Sequence, residues 1–163
     1  MNILFVCTGN TCRSSMAEGV FKHLIKISNI EDINVSSAGI SAFEGDKANE
    51  KAVYTLNKKG IDILNHKARQ LSKEIINGSD LILTMTNSHK RLILNAMPEY
   101  LHKVYTLKEY ALIINNEVTA GKNLDIDDPF GLDYNVYEKV SDEIEEQLIK
   151  LINNIDKIKE QLY

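Results

Sequence analysis

Residues 1–15 read MNILFVCTGNTCRSS. An apolar run from Ile3 to Cys7 passes directly into small polar residues, a second cysteine and an arginine. Such a run, bounded by a Gly-Asn turn, predicts a buried parallel strand over Asn2–Cys7. The loop Cys7-Thr8-Gly9-Asn10-Thr11-Cys12-Arg13 then opens a helix near Ser14. Gly9 accepts positive φ and Asn10 tolerates it, so the loop backbone can turn its N–H groups inward. Backbone amides backed by a helix N-terminus make an anion nest. Arg13 adds a planar fork suited to two phosphate oxygens. Cys7 falls at the floor of this nest, where a thiolate is favoured. Ser14 is placed to donate to the sulfur. The pattern is not the nucleotide-binding loop, which requires a Gly-Lys-Ser/Thr ending that is absent here.

The rest of the chain supplies a scaffold for that loop. Three further strands are predicted over Ile33–Ser37, Asp80–Met85 and Lys103–Thr106. Helical periodicity covers Ser14–Ser28, Lys47–Lys59 and Ser88–Ala96, and Gly60 reads as the stop of the second. Over Val136–Leu162 apolar residues recur at spacings of three and four, a long amphipathic helix that tolerates a kink. Alternating strands and helices predict an α/β, three-layer fold: a four-stranded parallel sheet with helices on both faces, one compact domain over residues 1–163. Ligands in such sheets bind at the carboxyl ends of the strands, where Cys7 falls.

Composition narrows the function classes. The 163 residues are 44% hydrophobic and 26% charged, enough for a core and too apolar for disorder. A net charge of −4 gives no basic footprint for nucleic acid or a membrane surface. No apolar run reaches a membrane span, and no basic segment precedes Ile3–Cys7 as in a signal peptide. A cytoplasmic, monomeric protein is expected. Two cysteines in a reducing compartment point to chemistry more than to stapling. His23, His89 and His102 show no metal-site spacing. Asp125, Asp127 and Asp128 cluster without clearly supplying enough oxygen ligands for a cation.

Five segments carry a family resemblance: CTGNTCRS at 7–14, SSAG at 36–39, GIDILNHKARQLS at 60–72, DLILTMTNSH at 80–89 and DPFG at 128–131. In order and spacing the chain resembles the low-molecular-weight protein-tyrosine-phosphatase family. The resemblance implies a cysteinyl-phosphate intermediate, phosphorylated proteins as substrates, and no metal or cofactor. It implies Cys7 as nucleophile, Arg13 as phosphate clamp, and Asp128, preferred over Asp127, as general acid. Thr8, Gly9, Asn10, Thr11, Cys12 and Ser14 form the phosphate loop. Ser36 and His66 are implied as the supports of Asn10. A cysteine at Cys12 implies reversible pairing with the nucleophile under oxidation, a redox-sensitive arrangement.

The leaving group divides the family. Arsenate reductases on this scaffold relay through later cysteines, and none follows Cys12. A non-catalytic phosphate-binding module would not need Cys7, Arg13 and Asp128 together. Tyrosine phosphatases of the family usually carry Ile or Leu at the position of Thr11 and often two aromatics after Asp-Pro. Here Thr11 brings a hydroxyl, and Phe130 is followed by Gly131. With Thr11 and Phe130 as substrate-pocket residues, the chain resembles the protein-arginine-phosphatase branch, with tyrosine phosphatase as the alternative.

Overall fold

The computed structural model describes all 163 residues. Four strands, β1 (Asn2–Cys7), β2 (Asn34–Gly39), β3 (Leu81–Thr84) and β4 (Val104–Thr106), form one parallel sheet in the order β2-β1-β3-β4. The chain leaves β1 toward β2 on one side and returns to β3 on the other. The switch point therefore lies between β1 and β3, and Cys7 ends the first of them.

Alternation along the strands divides the core. Ile3, Phe5, Leu81 and Leu83 face the larger layer, formed by α1 (Arg13–Ile27), α2 (Glu50–Asn57), α5 (Leu107–Ile114), α6 (Tyr134–Ile152) and α7 (Ile155–Leu162). Leu4, Val6, Ile82 and Val104 face α3 (Lys73–Asn77) and α4 (Asn87–Ala96) through Ile76 and Ile93. Helices thus cover both faces, and β1 is buried on both from Ile3 onward. No helix is long and apolar enough to cross a membrane.

The elements differ from the sequence expectation in four places. The second helix starts at Glu50 and not at Lys47, because Lys47 bridges to Lys67 and Asn49 caps the helix by accepting from the Lys51 N–H. The C-terminal helix is two, broken at Asn153–Asn154. There the Asn154 amide donates to the Lys150 carbonyl and competes with the backbone ladder. Helices α3 and α5 escape periodicity. The first has five residues, and the second has eight with only Lys108 and Glu109 charged, its sequence signal being a Thr106–Glu109 capping box.

At the end of β2 the backbone closes on the loop after β1. Ile40 N–H donates to the Cys7 carbonyl and Ser41 N–H to the Thr8 carbonyl, both at 2.9 Å. A Cβ on Gly39 would stand 2.5 Å from the Thr8 carbonyl oxygen and 2.9 Å from the Asn10 nitrogen, both backbone atoms. Gly39→Ala is expected to destabilise the fold by about 1–3 kcal/mol, the usual cost of overpacking. It should also shift the amide resonances of Thr8–Asn10. Urea unfolding and a ¹⁵N correlation spectrum check this; an unchanged midpoint and spectrum would contradict it.

Candidate active site

The loop after β1 curls around the sulfur of Cys7. Asn10 sits at φ 58°, the left-handed region, and is fully buried. Asparagine accepts that conformation at lower cost than most residues. Its backbone N–H reaches Cys7 Sγ at 3.3 Å. Its side-chain amide donates to Ser14 Oγ and to Ser37 Oγ, each at 2.8 Å. Because Ser14 Oγ accepts from Asn10, its own O–H is free to donate to Cys7 Sγ at 2.9 Å. Two donors thus converge on the sulfur.

The rest of Asn10 is held from behind. Its Oδ1 accepts from Arg69 N–H at 2.9 Å, and its carbonyl accepts from His66 Nε2 at 2.7 Å. The Ser37 hydroxyl in turn donates a hydrogen bond to Glu18 Oε2. The expectation of Ser36 as a support of Asn10 is corrected. Successive strand side chains point to opposite faces, and Ser37, not Ser36, faces Asn10. Ser36 and Ser37 both border a second, polar cavity of about 520 Å³, with Glu18, His66 and Arg69 among its other walls. Arg69 and Glu18 were not singled out in the sequence. Glu18, four residues after Ser14 on α1, carries the one legible signal, a shared helix face.

Arg13 opens α1 and is almost entirely buried. Its Nη1 donates to the Ile126 carbonyl at 3.0 Å, and its Nη2 pairs with Asp128 Oδ2 at 3.1 Å. The carbonyl fixes the stem of the fork and leaves its outer edge toward Asp128. Asp128 Oδ1 accepts from the Phe130 N–H at 3.1 Å, which aims the carboxylate, and Pro129 between them is buried. The acidic cluster disperses: Asp125 caps the Asn87 N–H, Asp127 is exposed, and Asp128 holds Arg13.

Cys7, Thr8, Gly9, Thr11, Cys12, Arg13, Asp128 and Phe130 line one cavity of about 200 Å³. Thr11 carries the rim, with its carbonyl accepting from Asn49 N–H ahead of α2. Phe130 is 69% exposed and covers only one side. Both cysteines are free. Cys12 Sγ lies 3.2 Å from the hydroxyl of buried Tyr137, and burial pushes the Cys12 thiol pKa up. His89, on α4, meets Thr8 Oγ1 at 2.8 Å. Burial, then the nearby Arg13 cation, hold its pKa down at about 4, against smaller opposing effects from Asp128 and Asp125.

The arrangement brings a sulfur, a guanidinium, the inward Asn10 N–H and an aimed carboxylate to one small cavity. The sequence model described as "Low molecular weight phosphotyrosine protein phosphatase" matches residues 2–161. The chain belongs to this family. It is 41% identical over 157 residues to the protein-arginine-phosphatase of Bacillus subtilis strain 168, covering 96% of this chain and 98% of that relative. A solved YwlE arginine phosphatase, a C7S mutant with a phosphorylated active-site serine, superimposes with a TM-score of 0.87 at 40% identity, covering 99% of each chain. The low molecular weight protein tyrosine phosphatase from T. tengcongensis superimposes with a TM-score of 0.84 at 43% identity, over 94% of this chain and 98% of that one.

His89 makes the site pH-sensitive in stability. Its folded pKa lies below the ordinary 6.5, so folding favours the neutral ring. That contribution is complete above about pH 6.5 and is lost as pH falls toward 4, where the unfolded chain binds the proton first. Thermal midpoints of wild type and His89→Gln should therefore converge as pH drops from 6.5 to 4. Parallel curves would contradict a buried neutral His89.

Proposed function

We propose that this phosphatase hydrolyses phosphoarginine on proteins through a cysteinyl-phosphate intermediate. The observation that carries the choice of substrate is the pairing of Thr11 and Asp128 on one cavity whose single aromatic, Phe130, stands largely in solvent. A phosphoguanidine presents N–H donors and needs acceptors around it. Thr11 Oγ1 and the carbonyl oxygen of the Asp128 carboxyl group supply them, where a phenyl ring would need apolar walls. Gly131 at φ 78° follows Phe130, so no second ring closes the other side. Similarity to the Bacillus subtilis protein-arginine-phosphatase and to the C7S arginine phosphatase structure supports the same reading.

The proposed chemistry draws on each of these groups. The loop amides and Arg13 grip the phosphoryl oxygens. The phosphoryl group takes over the guanidinium edge that Asp128 now occupies, and the carboxyl, released from the ion pair and protonated from solvent, turns to the leaving nitrogen. The Cys7 sulfur attacks phosphorus, the P–N bond breaks, and Asp128 delivers its proton to the departing nitrogen. A water then attacks the cysteinyl phosphate, the Asp128 carboxylate accepts its proton, the S–P bond breaks, and phosphate leaves. Ser14 and the Asn10 N–H receive the returning thiolate. Under oxidation the same two thiols, Cys7 and Cys12, would close a reversible disulfide. The reading takes the enzyme to act as a monomer in the cytoplasm, where thiols stay reduced.

A tyrosine-phosphatase reading is favoured by one observation, the 43% identity to a solved protein tyrosine phosphatase. kcat/KM on phosphoarginine and phosphotyrosine peptides separates the two, measured for wild type and Thr11→Ile. Wild type should prefer phosphoarginine. Thr11→Ile preserves β-branching but removes a hydrogen bond to a charged group, worth about 1.5–3 kcal/mol. It should lower phosphoarginine turnover at least tenfold, as about 1.4 kcal/mol is a factor of ten, and hold or raise phosphotyrosine turnover. A wild-type preference for phosphotyrosine would overturn the assignment, and a parallel fall of both would remove Thr11 as the selector.

A further inference from the structure

His89 has no part in the chemistry above, yet it is buried and touches the catalytic loop at one atom. It lies at the start of α4, whose N-cap is Thr86. Its Nδ1 is 3.0 Å from Thr86 Oγ1, and its Nε2 is 2.8 Å from Thr8 Oγ1. Thr86 Oγ1 also accepts the backbone N–H of His89 at 3.2 Å, as the cap. Nδ1 is the one acceptor within the protein that the Thr86 hydroxyl meets, and the hydrogen-bond network assigns the ring the tautomer that accepts there. A ring that accepts at Nδ1 carries its proton at Nε2, and that proton goes to Thr8 Oγ1. Thr8, so used as an acceptor, has its own O–H left over. No protein group receives it, and Thr8 lines the cavity beside Cys7 and Arg13.

We propose that the Thr8 hydroxyl is a substrate-contacting donor to a phosphoryl oxygen, and that His89 is the positioning residue that fixes its direction. The chain of donors runs from Thr86 to His89, to Thr8, to the phosphoryl group. Donation to an anionic oxygen is the strong case of a hydrogen bond. The ring must stay neutral for the order to hold. Burial and the Arg13 cation keep it so at pH 7. Asp125 and Asp128, which oppose this, are spent on Asn87 N–H and on Arg13. The inference rests on phosphoryl chemistry at this cavity, but not on the choice of arginine over tyrosine, because the phosphoryl group is common to both.

The test is a double-mutant cycle on Thr8→Val and His89→Leu, with His89→Gln as the conservative variant. Three quantities are read for each protein: kcat/KM on phosphoarginine and phosphotyrosine peptides, the inhibition constant of inorganic phosphate, and the thermal midpoint. Thr8→Val should lower kcat/KM on both peptides by roughly tenfold or more and weaken phosphate inhibition, as loss of a hydrogen bond to a charged acceptor does. His89→Leu should reproduce that loss. The double variant should be no worse than either single, since both remove one interaction. His89→Gln, whose amide can reach Thr8, should recover most of it. Additive losses, or a Thr8→Val protein with unchanged phosphate inhibition, would overturn the proposal. So would a His89→Leu loss that follows the thermal midpoint while Thr8→Val is silent. Should wild type turn over neither peptide, the substrate reading fails, and the phosphate constants alone still decide the relay.

Discussion

Asn10 is the constraint on which the site depends. Every polar atom it owns is engaged: its N–H with Cys7, its amide with Ser14 and Ser37, its Oδ1 with Arg69 and its carbonyl with His66. A buried polar side chain left half satisfied is costly, by about 1–3 kcal/mol per unpaired group. Here full satisfaction converts that penalty into rigidity. The loop can adopt φ 58° at position 10 because four separate elements hold it there: β2, α1 and the segment carrying His66 and Arg69, and the end of β1 itself. Removing the amide would leave Ser14 without its donor and so change what the hydroxyl offers to sulfur. The aim of the proposed nucleophile thus depends on hydrogen bonds made behind the cavity.

The electrostatics follow the same economy of partners. A buried guanidinium with nothing to hold would be expensive. Arg13 is compensated at one nitrogen by a neutral carbonyl, that of Ile126, and at the other by Asp128. Only the second is a charge that can be exchanged for a phosphoryl group. Position in the fold also matters. The cavity sits where β1 and β3 diverge, so α1 offers its N-terminus from one side while α4 brings His89 from the other.

Much of this was legible in the sequence, for identifiable reasons. The strand over Asn2–Cys7 announces itself because a strand buried on both faces is written as a continuous apolar run. The loop after it is legible because a Gly-Asn turn, a thiol and an arginine leave few other uses for those residues. Asp128 was distinguished from its neighbours by Pro129 and by family resemblance, and the structure gives the geometry: the Phe130 N–H aims it. What escaped the sequence depends on which side a residue faces or on long-range approach. Ser36 and Ser37 are chemically identical neighbours, and only strand pleat separates them. Arg69 acts through its backbone N–H, to which sequence is blind. His89 looked like a lone histidine because its partner, Thr8, lies 81 residues away. Helix α5 is two turns long with only Lys108 and Glu109 charged, too short to set a period, and the break at Asn154 is a side-chain competition that periodicity does not register.

The central claim is that phosphorus is transferred first to the sulfur of Cys7. Rapid quench of the enzyme during turnover, followed by intact-mass and peptide mapping, tests it most directly. The account predicts a transient phosphoryl adduct on the peptide containing Cys7, formed before phosphate release and chased away as turnover ends. An adduct on a histidine or aspartate, or turnover with no adduct at any time resolved, would contradict it.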